Sequence, residues 1–151
     1  MAKIESLYGS GKLPAPIPVA QEVLSAKAKV VLTAAQVASG NIVTFVVLPA
    51  DCVPVGYVIN ADDLDSGVAA LTFDFGLLNA AETAIETELV ANSTLAQAGG
   101  LLLHTASKAA YDLLSGVAVD DVDRVVGIKF DTAAGTAAGG DIEVELLYKA
   151  A

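Results

Sequence analysis

The chain has no tryptophan, and only one cysteine, one histidine and one methionine in 151 residues. A single cysteine, Cys52, leaves no internal disulfide framework. His104 and Cys52 together supply too few nitrogen and sulfur ligands for a zinc site. With no tryptophan and aromatics at 5%, little is available to stack on a sugar ring, which weakens lectin and glycosidase readings. Charged residues make up only 17% and hydrophobic residues 54%, too apolar for a disordered chain. Yet no apolar run approaches the roughly 18 to 20 residues of a membrane helix. The N-terminus, MAKIESLYGSGK, lacks the apolar core of a signal peptide. A soluble, intracellularly folded single domain with no membrane partner is expected.

Basic residues are also scarce, and the formal charge is −10. Residues 1–29 carry a net of +2 from Lys3, Lys12, Lys27 and Lys29 against Glu5 and Glu22, so the rest carries −12. An acidic body repels phosphate backbones, and no nucleic-acid partner is expected.

What the chain does have is alternation. Ala28–Ala35, Asn41–Leu48, Val53–Asn60, Ala69–Phe75, Gly99–Thr105, Arg124–Phe130 and Asp141–Lys149 read as strands. NIVTFVVL (Asn41–Leu48) is apolar on both faces, as a strand covered on both sides would be. DIEVELLYK (Asp141–Lys149) sets Ile142, Val144, Leu146 and Tyr148 against Glu143 and Glu145. Val53, Val55, Tyr57 and Ile59 are expected on one face, with Pro54 marking an edge or a strand start. Ala69, Leu71, Phe73 and Phe75 are expected to point inward. In Asn79–Ala91, Ala81, Ile85 and Leu89 recur every four residues after a capping Asn79, which predicts a short helix. Residues 106–123 predict a loop with a short strand. Two facing sheets bury this pattern most economically. The fold class is therefore all-β: a jelly-roll-like β-sandwich over 26–151, with one short helix and an extended N-terminal arm over 1–25. In that arm, LPAPIPV (Leu13–Val19) places prolines at alternate positions and reads as a semi-rigid extended strip.

Candidate chemistry is thin. Asp62, Asp63 and Asp65 lie between two strands in NADDLDSG. Counted from Asp63, a calcium loop would need glycine where Val68 stands, so the EF-hand pattern fails and a turn is expected. A different cation site shared with Asp120, Asp121 and Asp123 is the less favoured reading. GSGK (Gly9–Lys12) has Ser6 and Leu13 where a phosphate loop needs glycine and Ser or Thr. His104 has no nucleophile elbow to serve, and reads as a strand-end histidine with a backbone partner. Cys52 reads as a small hydrophobe. No catalytic residue, cofactor or metal ligand is assigned.

The order of features resembles small head proteins of tailed bacteriophages, of the capsid decoration or cement type. The carrying stretches are VLPADCVPVGYVINADDLDSGVAALTFDFGLLNA, ANSTLAQAGG and GTAAGGDIEVELLYKA. They include an acidic turn, the Asp74-Phe75-Gly76 step, a Q-A-G-G step and a closing alternating strand, and the likeness covers roughly 41–105 and 124–150. These are framework features, so no site residue carries over. The resemblance implies a non-enzymatic virion protein on the capsid exterior, assembled in the host bacterial cytoplasm. Its partner would be the major capsid protein, and it would form a homo-oligomer, a trimer in preference to a dimer. Composition of the arm adds a docking hypothesis: Lys3, Lys12, Leu13, Pro14, Pro16, Ile17 and Val19 contact the shell. The alternatives are a head-fibre base, tail or host-adhesion module, and a carbohydrate-binding β domain.

Overall fold

The computed structural model describes residues 1–6, 9–12, 16–18 and 22–151. Among these residues nine strands and one α-helix follow in order: β1 Lys3–Glu5, β2 Leu24–Leu32, β3 Ile42–Leu48, β4 Cys52–Ala61, β5 Thr72–Leu78, β6 Ile85–Ser93, β7 Gly100–Leu103, α1 Lys108–Ser115, β8 Arg124–Thr132 and β9 Gly140–Ala150. One sheet has the order β1-β3-β8-β5-β6 and the other β2-β9-β4-β7. From β2 onward the chain changes sheet at every step except the β5–β6 hairpin. With β1 set aside, this interleaving of two four-stranded antiparallel sheets is a jelly roll.

Alternation explains the layers. Along β2, Ala26, Ala28, Val30 and Leu32 are buried while Lys27, Lys29 and Val31 face water. Along β9, Ile142, Val144, Leu146 and Tyr148 are buried, as the period-two pattern predicts. From the opposing sheet come all four phenylalanines, Phe45, Phe73, Phe75 and Phe130, each fully buried. Tyr57 of β4 tilts against Phe75 of β5 with ring centroids 5.2 Å apart, bridging the layers. Each large apolar side chain so enclosed contributes about 1.5–3 kcal/mol.

Four expectations need correction. The stretch predicted as a helix, Asn79–Ala91, is a turn followed by β6. Asn79 does act locally: its Oδ1 accepts from Thr83 N (2.8 Å) and its carbonyl from Glu82 N (2.8 Å). That closes a hairpin with Glu82 at φ 54°, not a helix. Ile85, Thr87 and Leu89 alternate with exposed Glu86 and Glu88, so the same residues also satisfy period two, and pairing with β5 decides between the readings. The helix instead lies within 106–123, as α1. Ser107 Oγ accepts from Ala110 N at 3.1 Å, and Gly116 N closes the last turn on Asp112 O at 3.0 Å. In β4, a bulge between Pro54 and Gly56 shifts the facing. Cys52, Pro54, Tyr57 and Ile59 therefore point inward while Val53 and Val55 are half-exposed. Ala69, finally, is exposed, because β5 begins only at Thr72.

β3 is buried along nearly its whole length, and its outer edge is closed from within the chain. β1 pairs in parallel with it, Lys3 opposite Ile42 and Glu5 opposite Thr44. Beyond β1, Ser6 N donates to Thr44 O at 2.9 Å, Ser6 Oγ bonds Phe45 O, and Gly9 N donates to Ser6 Oγ at 2.9 Å. Gly9 lies so close that a Cβ there would fall 2.6 Å from Thr44 Oγ1. The polar edge of β3 is thus covered by the chain's own first residues.

Candidate functional site

The acidic turn after β4 is held from three sides. Asp65 is 2% exposed. Its Oδ2 accepts from Ala70 N (2.8 Å) and Leu71 N (2.9 Å), and its Oδ1 from Thr136 N (3.0 Å). Those N–H groups, Ala70 first, hold its carboxyl well below the ordinary carboxylate range. Asp63 Oδ1 accepts from Asp65 N at 3.0 Å, a local side-chain turn. Asp62 Oδ2 accepts from Asp141 N at 2.9 Å, tying the turn to the start of β9. Between them Leu64 is wholly buried. The three carboxylates are occupied as backbone acceptors in a connection.

The second acidic run performs similar work at the other end of the molecule. Asp123 Oδ1 accepts from Ala50 N at 2.9 Å, and Asp120 O accepts from Asp51 N at 2.8 Å. Arg124 donates to Ala118 O (2.9 Å) and Cys52 O (3.1 Å). Together they brace the β3–β4 turn, where Asp51 has φ 58°. β4 separates the two runs: Asp51 precedes its first residue and Asp62 follows its last. At ~3.3 Å per residue, the strand holds them about 30 Å apart. The shared cation site therefore does not form. Among the described residues no group of three or more His, Cys, Asp or Glu side chains is placed to hold a metal ion.

His104 follows β7, with Nδ1 3.3 Å from both the backbone N and the carbonyl O of Tyr57. This is the backbone-partnered strand-end histidine read from the sequence. Cys52 is 2% exposed, and burial first, then Asp51, pushes its thiol pKa up. Such a thiol is packed and unreactive. On the outer face of the five-stranded sheet the Asp131 carboxyl is raised from its ordinary pKa, first by burial and then by its hydrogen bond with Asp74.

The residues assigned to docking fall in different surroundings. Lys3 pairs with Glu5 and with Glu82, both on its own chain. These partners, Glu5 first, raise its pKa. Lys12 is exposed. Pro16 O accepts from Tyr148 OH at 2.6 Å, so this point of the arm is pinned over the end of β9. Ile17 is 76% exposed and Pro18 next to it is buried. Leu13, Pro14 and Val19 lie outside the described residues.

One surface feature escaped the sequence reading. β7 presents Leu101 and Leu103 outward, 60% and 39% exposed, at the margin of the four-stranded sheet. In the sequence GGLLLH reads only as one more strand. Its lack of any charge at a sheet margin was the available signal, but the margin itself is a property of topology.

The geometry so far defines a class: a jelly-roll domain in which Asp62, Asp63, Asp65 and Asp123 serve the chain's own turns. No family model matches the chain, and no curated protein matches it. Two solved structures are similar. A chain from the capsid of Ralstonia phage GP4 superimposes with TM-score 0.83 at 29% identity, over 99% of this chain and 98% of that one. A chain of the cyanophage Pam1 capsid asymmetric unit aligns with TM-score 0.62 at 21% identity, over 92% and 93%. The second likeness speaks to the fold alone. The chain thus shares its fold from end to end with components of phage capsids.

Proposed function

We propose that this chain is a structural protein of a bacteriophage virion, which binds the outer surface of the shell built by the major capsid protein and decorates or cements the head. The observation that carries the reading is the near-complete, two-way alignment with a chain in the capsid of Ralstonia phage GP4. Because both chains are covered almost wholly, the two are nearly equal in length. A chain of 151 residues whose only α-helix among the described residues spans Lys108–Ser115 is small for a shell-forming subunit and suited to an accessory one. Commitment of Asp62, Asp63, Asp65, Asp123, His104 and Cys52 to structural contacts supports attachment over catalysis. Many weak contacts repeated on a lattice give avidity, so no single contact need be strong.

Within the arm, exposed Lys12 and Ile17 are the better docking candidates, since Lys3 is engaged within the chain and Pro16 is pinned to Tyr148. Removal of residues 1–20 would also strip β1 from β3, so point substitutions are the cleaner probe. Lys12→Glu combined with Ile17→Asp is expected to leave thermal unfolding unchanged and to weaken co-sedimentation with purified heads by about tenfold, equivalent to ~1.4 kcal/mol. Undiminished co-sedimentation of that variant would remove the arm from the docking surface. Failure of the wild-type chain to bind heads would remove the proposed function itself.

A further inference from the structure

Asp74 of β5 lies between two irregular strands. The step from Thr72 to Phe73 on β5 is matched on β8 by the longer step from Thr132 to Phe130, so Asp131 is the extra residue of a bulge. On the other side, Phe73 to Phe75 is matched on β6 by Ser93 to Val90, which is again one residue longer. β6 therefore bulges at the level of Asp74, with Asn92 at φ 48°. One side chain reaches both irregularities. Asp74 Oδ1 accepts from Asn92 N at 2.8 Å, and the Asp74 carboxyl is also hydrogen-bonded to that of Asp131. Two ionised carboxylates have no donor between them, so a hydrogen bond joining them requires a proton. We propose that Asp74 and Asp131 hold one proton between them as a proton-operated latch, which fastens β5 to the bulges of β6 and β8 while the proton is bound and loosens when it leaves.

The other partners of the two groups assign their roles. Asp74 already accepts from a backbone N–H, so it is the acceptor of the pair, and Asp131 carries the proton and donates. Both side chains belong to half-buried residues on the outer face of the five-stranded sheet. Burial first, then the bond to Asp74, raises the Asp131 pKa. Glu88 of β6 adds to the effect, and Lys129, opposite Asp74 on β8, works against it. On the far side of β8 the neighbours are uncharged. Ser39 Oγ donates to Asp131 O at 2.6 Å and Gly40 N to Phe130 O at 2.7 Å, which ties the bulge from behind.

The pH dependence has a definite sign. The folded pKa of Asp131 is raised, so between the ordinary carboxylate value and the raised one the folded chain keeps a proton that the unfolded chain has released. The latch contributes fully below the ordinary value, and its contribution is lost as the pH rises through the raised one. Asp65, with its depressed pKa, acts in the opposite sense, so variants rather than the wild-type profile alone separate the two. The latch is internal to the chain and stands whether or not the protein binds heads.

Two measurements test it. Asp131→Asn supplies an amide donor to Asp74 at every pH. It is expected to melt a few degrees above wild type at neutral pH, with the gap closing as the pH falls through the ordinary carboxylate range. Carboxyl-carbon NMR reads the proton itself. In wild type Asp131 is expected to titrate above its ordinary value, and the amide signals of Asn92 and Thr132 to move with the same midpoint. In Asp74→Asn, whose Oδ1 still accepts from Asn92 N while its amide donates to ionised Asp131, that midpoint is expected to fall. An Asp131→Asn chain no more stable than wild type at neutral pH, or a gap that persists in acid, would overturn the proposal. So would an Asp131 that titrates ordinarily, a midpoint unmoved in Asp74→Asn, or bulge amides indifferent to the titration.

Discussion

Asp65 shows how one carboxylate organises three segments. Its oxygens gather N–H groups from Ala70, Leu71 and Thr136, which belong to the approach to β5 and to the connector before β9. Because its folded pKa is depressed, it stabilises the fold at any pH above the ordinary carboxylate range. That contribution is lost as the pH falls through and below that range, when the folded carboxyl takes up its proton. Asp65→Asn keeps the shape but sets an amide donor against backbone donors. The variant is expected to melt several degrees lower than wild type at neutral pH and to lose part of the wild type's decline in acid. Thermal unfolding followed by circular dichroism from neutral pH to about pH 2 checks both, and superimposable wild-type and variant profiles would contradict the assignment. From sequence alone Asp65 was legible as a turn residue. Its burial was not, because the acceptor role depends on Thr136, far along the chain.

At the level of elements, legibility followed how many partners an element needed. β9 was readable because strict alternation over Ile142–Tyr148 requires only two faces of different polarity. β6 was not, because Ile85 and Leu89 fit both a four-residue and a two-residue period, and only β5 beside it chooses. α1 had its signals, Ser107 before it and Gly116 after, but Leu114 is its one buried residue, so almost no apolar stripe announced it. β1 was hidden for another reason. It is three residues long and its stability lies in its partner segment, where buried Asn41, just before β3, and Thr44 of β3 receive it: Ala2 N donates to Asn41 Oδ1 at 2.7 Å, and Thr44 Oγ1 to Ile4 O at 3.4 Å. Gly9 fixes this docking through contact with Thr44. Gly9→Val is expected to destabilise the protein by about 1–3 kcal/mol, as overpacking does, and to be read as a lower urea midpoint. An unchanged midpoint would show that the segment sits less tightly on β3 than the Gly9–Thr44 contact indicates.

For the whole molecule, the architecture was foreseeable at the level of two pleated layers, and its function was not derivable from any one side chain. Nothing resembling a nucleophile with its base, or a ligand cage, was present to read, and the recognisable stretches were turns and strands. What distinguishes the molecule is the disposition of its surface: an acidic jelly roll with the uncharged strand β7 at one sheet margin and a proline-bearing arm tied down at Ser6 and Pro16. Such a body suits repeated placement on a larger lattice. The account therefore turns on position and number within a virion. Cryo-electron microscopy of purified heads, with this chain added back to particles lacking it, is the direct measurement. It is expected to show jelly-roll density at every equivalent outer site, with the shell beneath unchanged in architecture. Density for this chain within the continuous shell wall, at a few tail-associated sites, or nowhere on the head would contradict the account.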